Sequence, residues 1–157
     1  MTNQFLISFL SLLLFTGNPQ LNTHADVAAA DVILGKWQAI ENNIIVQVYK
    51  DENNEFKGKI VWFNDGEGNK KMAVWTDKRN PDPALRSRKI LGMNVLEKLV
   101  YDPKSNSWEN GIIYDAKNGR HWNSAASLNK DGTLKVKGYW HFKFIGRTMT
   151  FRRLADN

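Results

Sequence analysis

Hydrophobic positions in this chain recur every second residue. Phe56, Gly58, Ile60 and Trp62 share one face of an extended segment, with Lys57 and Lys59 on the other. Leu134, Val136, Gly138 and Trp140 repeat the pattern against Lys135 and Lys137, and Ile44, Val46 and Val48 alternate around Gln47. Alternation of this kind marks half-buried strands. Between the apolar runs lie Asn42-Asn43, Asn53-Asn54, Asn118-Gly119 and Asp131-Gly132, residues that tolerate the positive φ of tight hairpin turns. The pattern predicts eight strands, over 35–41, 44–50, 55–63, 90–100, 107–115, 120–128, 133–140 and 147–154. The segment 90–100 is ambiguous, because Leu91, Val95 and Leu99 also fit a helical stripe.

Eight strands joined mostly by short turns predict an all-β fold, a single antiparallel up-and-down β-barrel. Closure removes the sheet edges that otherwise aggregate. Eight strands enclose a space that side chains fill or that holds one small ligand. The long interruption at about 65–89, with Asp65-Gly66-Glu67-Gly68 and Pro81-Asp82-Pro83, is of the length that usually carries function.

The first residues break the period. Phe5 to Phe15 is an uncharged run of 11 residues, too short for a membrane-spanning helix, which needs about 20. It suits the apolar region of a secretory signal peptide. Thr23-His24-Ala25 and Ala28-Ala29-Ala30 offer two cleavage sites; the first is nearer the run, so residues 1–25 are expected to be the signal. No Lys or Arg precedes the run, a departure from the usual signal pattern. The expected organisation is then a lead-in over 26–34 and one barrel domain over 35–154, located in the periplasm or secreted. The chain contains no cysteine, so packing alone holds the domain and no lipid is attached through a thiol. A second apolar stretch of spanning length is absent, and no transmembrane segment is expected in the mature protein.

A formal net charge of +6 and a pI near 9.6 favour contact with anions. Outside the cytoplasm nucleic acid is not the expected partner. Anionic lipid headgroups, lipopolysaccharide, cell-wall polymers and acidic small molecules take its place, beside the plainer role of solubility.

The densest polar segment runs from Asp77 to Lys89. Pro81 and Pro83 restrict its backbone, and Arg86 and Arg88, two apart on an extended segment, are expected to project to one side. Two guanidinium forks so placed hold a phosphate or carboxylate; the alternative is that Asp77, Asp82 and the arginines pair among themselves and pin the loop. Six tryptophans, at 37, 62, 75, 108, 122 and 140, either fill a barrel or line a cavity. Catalytic signals are thin. His121 and His141 match no metal spacing, no nucleophile elbow or phosphate-cradling loop is present, and Asp82 and Asp115 are paired acids only if the fold joins them. No catalytic residue, metal or cofactor is expected.

Residues 31–153 resemble the bacterial family catalogued as domain of unknown function 2147, exported proteins with a lipocalin-like look. The resemblance rests on Asp31-Val32-Ile33-Leu34-Gly35-Lys36-Trp37, Gly58-Lys59-Ile60-Val61-Trp62 and above all Asn80-Pro81-Asp82-Pro83-Ala84-Leu85-Arg86-Ser87-Arg88. Leu91-Gly92, Trp108, Gly111-Ile112-Ile113-Tyr114-Asp115, Gly119, Leu134-Lys135-Val136-Lys137-Gly138-Tyr139 and Gly146-Arg147-Thr148 continue it. Ala116 replaces an expected proline, Trp122 a tyrosine, and Phe151-Arg152-Arg153 a closing Trp-x-Arg. The resemblance implies a lipocalin-like barrel in which Gly35 and Trp37 close against an arginine of the last strand, Arg152 or Arg153. It adds Tyr114 and Asp115 to Asn80, Asp82, Arg86 and Arg88 as candidate ligand-binding residues. Fold likeness licenses only an analogy for function. Three functions are open: a binder of a small hydrophobic or amphiphilic ligand such as a lipid, an envelope structural or interaction protein with a filled barrel and a basic contact loop, and an enzyme built on Asp82, Arg86 and Asp115.

Overall fold

The computed structural model describes residues 23–68 and 72–155. The apolar run at 5–15 lies outside the described residues. A helix α1 (Thr23–Asp31) leads into strands β1 (Gly35–Ala39), β2 (Ile44–Lys50), β3 (Phe56–Phe63), β4 (Asn94–Asp102), β5 (Ser107–Asp115), β6 (Arg120–Leu128), β7 (Leu134–Tyr139) and β8 (Gly146–Arg153). They pair in sequence order, all antiparallel, and β8 returns to β1 to close a barrel.

The two ends of the barrel differ. At the end where β1 begins, the last turn of α1 and the residues after it reach the opening through Ala30 and Ile33. Ile33, Trp37, Phe56, Leu99, Trp108 and Leu134 are sealed from solvent there. Both buried indoles find acceptors in the lead-in: Trp37 Nε1 donates to Ile33 O at 2.8 Å and Trp108 Nε1 to Ala30 O at 3.1 Å. A buried indole N–H left unpaired costs about 1–3 kcal/mol, so these two carbonyls fix where the lead-in lies. Arg153 then covers the closed end. Its guanidinium sits 4.2 Å from the Trp37 ring centroid and donates to Leu34 O at 2.6 Å and to Val32 O. Gly35, at φ +121°, is the neighbour that permits this approach: a Cβ there would stand 2.9 Å from Arg153 Nη1. Arg152 turns outward and donates to Gln38 Oε1 and Asn42 Oδ1 instead.

Arg153→Ala is therefore expected to cost about 2 kcal/mol, a cation–π contact and two charge-assisted hydrogen bonds discounted for the exposure of the side chain. Arg152→Ala should cost under about 0.5 kcal/mol, as exposed surface changes do. Paired thermal melts check the difference. Equal losses would rule out this account of closure.

Three local features depart from the simple alternation. Strand β4 starts at Asn94, after a turn in which Met93 N donates to Ile90 O. Leu96 and Leu99, three apart, both reach the core, because Lys98 in β4 and Asn110 in β5 each adopt φ +61° where the register slips against the outer neighbours β3 and β6. The helical stripe of Leu91, Val95 and Leu99 is not realised: Leu91 lies in the turn before β4, and the slip sets the inward pair Leu96 and Leu99. Finally, β7 stops at Tyr139, which is buried, while Trp140 is 58% exposed.

Candidate functional site

Asp77 is the organising residue of the long loop. It is wholly buried, and its carboxylate accepts from Asn80 Nδ2 at 2.7 Å, Tyr114 OH at 2.7 Å and Arg88 Nη2 at 2.9 Å. Asn80 Nδ2 also donates to Tyr114 OH at 3.0 Å, and the Arg88 guanidinium lies 5.5 Å from the Tyr114 ring. Asp77 N donates to Arg88 O and Ile90 N to Trp75 O, so the loop closes on itself as a short antiparallel bridge at Thr76 and Lys89. Asn80, Arg88 and Tyr114 thus meet at one point. Asp77, expected only as a pairing partner within the loop, is that point.

The other candidate residues stay apart from it. Between the prolines the chain winds into a single 3₁₀ turn, Pro83–Leu85, capped by Asp82, whose Oδ1 accepts from Ala84 N. This turn replaces the extended segment expected over Arg86 and Arg88 and sends the two guanidiniums to different partners: Arg86 Nε donates to Asn80 O at 2.9 Å, whereas Arg88 is committed to Asp77. Asp115 shapes the β5–β6 turn by accepting from Lys117 N and Asn118 Nδ2. Arg79 Nη1 reaches Lys117 O in that turn. Asp82, Arg86 and Asp115 brace backbone, and no shared acid pair forms.

Burial raises the Asp77 carboxyl, but hydrogen bonds from Asn80, Tyr114 and Arg88, with the Arg88 charge, together hold it below the usual carboxylate value. Tyr114 is pushed up to about 12, first by burial and then by its hydrogen bond to Asp77 and that carboxylate's charge. An alkaline absorbance titration should show a step near that value, and Tyr114→Phe should remove it. If the late step survives, another tyrosine carries it.

Around this latch lie two concavities. One is an open groove of about 400 Å³ along Arg88, Lys89, Leu91, Met93, Asn94 and Glu97. The other is a recess of about 50 Å³ between Arg88, Val95, Ile112, Tyr114 and His121. The recess has room for a water or two and is too small for an amphiphile, and the groove is open and charged. Register places Tyr114 opposite His121, one residue off the Leu96–Ile113–Trp122 row that points inward. The latch therefore sits on the outside of the barrel.

Inside, the register identifies a second site. Gly111, Ser124, Gly138 and Arg147 form one row across β5 to β8, and Trp108, Ala126, Val136 and Met149 form another. Cross-strand partners share a face, so Arg147 and Met149 point inward with the buried Trp108, Ala126 and Val136. Both are nevertheless exposed, Met149 by 40%. The cause is the shortness of β1. It pairs with β8 at Phe151, Arg152 and Arg153, Ile40 N adds one bond to Thr150 O, and among the described strands Gly146–Met149 pairs with β7 alone. The wall is open beside β8, and the inner face there meets solvent. Half-buried Ile113 and Trp122 and the exposed Trp140, edge-on to Trp122 at 5.8 Å, line the opening. Alternation along Arg147, Met149, Phe151 and Arg153 carried the signal for this site in the sequence. It was uninterpretable without knowing where β1 ends.

Among the described residues no three His, Asp or Glu side chains gather to hold a metal, and no helix is long and apolar enough to cross a membrane.

The profile of the family described as "Uncharacterized protein conserved in bacteria (DUF2147)" matches residues 35–153. The chain belongs to this family. It is also similar to a solved structure from the human pathogen Helicobacter pylori, protein HP1028, described as belonging to the lipocalin family. The two share 26% identity and a TM-score of 0.66 over 78% of this chain and 83% of that one. None of the curated proteins compared matches. The DUF2147 barrel is thus lipocalin-like, with an outer loop latch and an opening beside its last strand.

Proposed function

We propose that this protein is an exported barrel that binds one small amphiphile through the opening beside β8. Its apolar part lies against Ile113, Trp122 and Met149, and an anionic head meets Arg147. One observation carries the reading: inward positions of β8 remain open to solvent while the opposite end of the same barrel is sealed. Arg147 takes the role expected of Arg86 and Arg88, since Arg88 already serves Asp77. Each methylene of an acyl chain buried there contributes about 0.8 kcal/mol, so a short chain with one charge-assisted contact suffices for micromolar binding, about −8 kcal/mol.

Export rests on the apolar run at 5–15 and the cleavage motifs. Cleavage after Ala25 keeps Ala30, whose carbonyl accepts from Trp108, whereas cleavage after Ala30 removes that acceptor. The mature chain should start at Asp26, which N-terminal sequencing of the envelope fraction reads directly.

Native mass spectrometry of protein purified from its own envelope tests the binding reading. A retained small mass in the parent, lost in Arg147→Ala, supports it. A clean apo mass, together with no uptake of a fluorescent fatty acid, supports a filled barrel acting through its surface.

A further inference from the structure

The β7–β8 connection has a composition that neither closure nor ligand binding requires. Trp140, Phe142, Phe144 and Ile145 are 58%, 59%, 78% and 60% exposed, four consecutive large apolar side chains interrupted only by His141 and Lys143. The connection has defined geometry. Ile145 N donates to Phe142 O at 3.0 Å, the Phe142 and Phe144 rings stack at 5.4 Å and 21°, and Lys143 Nζ pairs with Glu109 on β5. Soluble proteins rarely leave such a cluster facing water unless something covers it.

We propose that this connection is a docking element that inserts its apolar side chains into the surface of an anionic phospholipid bilayer. Charge selects that occupant. Among the described residues, the connections at the same end of the barrel carry seven Lys and Arg against five Asp and Glu, whereas the hairpin turns of the opposite end carry Asp51, Glu52, Glu55 and Asp131 against Lys104 and Lys130. The end that presents the aromatics is therefore the basic end, which an anionic surface neutralises. A second copy meeting the first through this patch would instead bring like charges together. Indole and phenyl groups on a short turn beside basic residues match the chemistry of the headgroup–acyl boundary, where an amphipathic indole keeps its N–H wet and its rings in hydrocarbon.

The docking reading stands independently of the pocket, although both use the same end. An amphiphile entering beside β8 would pass directly from the bilayer to the barrel.

The test uses protein purified from the soluble fraction of cells expressing the full chain, its N terminus read by intact mass. It is sedimented with vesicles of phosphatidylglycerol and phosphatidylethanolamine, and with vesicles of phosphatidylcholine alone. The parent should partition onto the anionic vesicles and be released at about 0.5 M salt, where charges are screened within a few ångströms. Phe142→Ser with Phe144→Ser should weaken partitioning at least ~tenfold, since two buried rings supply most of the apolar term. Phe144→Ser alone, at the most exposed position, should show a smaller loss, and both variants should melt with the parent. Several results overturn the proposal: equal binding by the double variant, equal binding to phosphatidylcholine, no sedimentation of the parent, or a dimer in sedimentation velocity that the double variant dissolves. Native mass spectrometry reads the pocket and not the turn, so either reading can fail alone.

Discussion

Asp77→Ala is expected to lower the melting temperature by about 10 °C or more, the largest stability loss of any single substitution in the loop. Three donors converge on that carboxylate; removing it strands the Tyr114 hydroxyl and leaves Asn80 Nδ2 with Tyr114 OH as its remaining partner. Both groups are buried with it, and a stranded buried donor costs about 1–3 kcal/mol. Arg88 adds less than a fully buried ion would, because its side chain is 39% exposed and water recovers part of its solvation. A total of roughly 3 kcal/mol, at about 3–5 °C per kcal/mol for a domain of this size, gives the expected shift. Asp82→Ala removes only the cap of a one-turn 3₁₀ segment and should cost about 1 kcal/mol or less. If the two substitutions melt together, the convergence on Asp77 stabilises nothing.

The same latch sets a pH window. Because the native pKa of Asp77 is depressed, its contribution is fully present above the unfolded carboxylate value of about 4 and is lost as pH falls through the lower native value. Because the native pKa of Tyr114 is raised to about 12, its contribution is fully present below the unfolded phenol value of about 10 and is lost as pH rises toward the native one. Urea midpoints of the parent and Asp77→Asn should therefore keep a constant gap at pH 5 and 6 and converge only below about pH 4. A gap already closing at pH 6 would point to a different titrating group.

The barrel was legible in the sequence because strands with one buried face must alternate. Phe56, Gly58 and Ile60 needed no partner to declare their face, and Asn42-Asn43, Asn53-Asn54, Asn118-Gly119 and Asp131-Gly132 marked four of the seven reversals. What alternation does not encode is the relation between strands. Leu91, Val95 and Leu99 fitted a helical stripe, but Leu91 lies before β4, and the slip at Lys98 that brings both Leu96 and Leu99 to the core depends on how β4 meets β3. Arg86 and Arg88 were expected side by side because the prolines favour extension locally. The Asp82 cap and the Arg86 bond to Asn80 O, both set by the folded loop, wind the chain instead. The latch was half visible: its members lie in one polar segment, but Tyr114 arrives from β5, and only three-dimensional placement makes Asp77 the centre. The alternation along Arg147, Met149, Phe151 and Arg153 does not by itself give the opening beside β8, since it arises from β1 stopping at Ala39, five residues into a strand whose sequence continues apolar through Ile40.

Gly138→Leu is expected to block the opening and lower amphiphile affinity about 30-fold or more, while leaving the fold as stable as the parent. Two glycines on one inward row show why. A Cβ at Gly111 would stand 2.4 Å from Ser124 Oγ and 2.5 Å from Leu99 Cδ2, so that part of the barrel is filled, and Gly111→Ala should destabilise by about 1–3 kcal/mol as overpacking does. A Cβ at Gly138, two strands away, meets only Ile113 Cδ1 at 3.7 Å and Trp122 Cβ at 3.8 Å, ordinary contacts that nothing need move to accept. The interior is therefore tighter at Gly111 than at Gly138. The branched end of a leucine at 138 would project past Trp122 toward Arg147, into the space assigned to the ligand. Losing even two methylene contacts costs about 1.6 kcal/mol, and excluding the chain from the site costs more. Replacing a strand glycine also reduces the entropy of the unfolded chain, which contributes up to about 1 kcal/mol in favour of folding. Titration of a fluorescent fatty acid into Gly138→Leu and Gly111→Ala, with melts run in parallel, should separate the two: lost binding at unchanged stability in the first, lost stability in the second. Undiminished binding to Gly138→Leu would place any ligand somewhere other than the mouth beside β8.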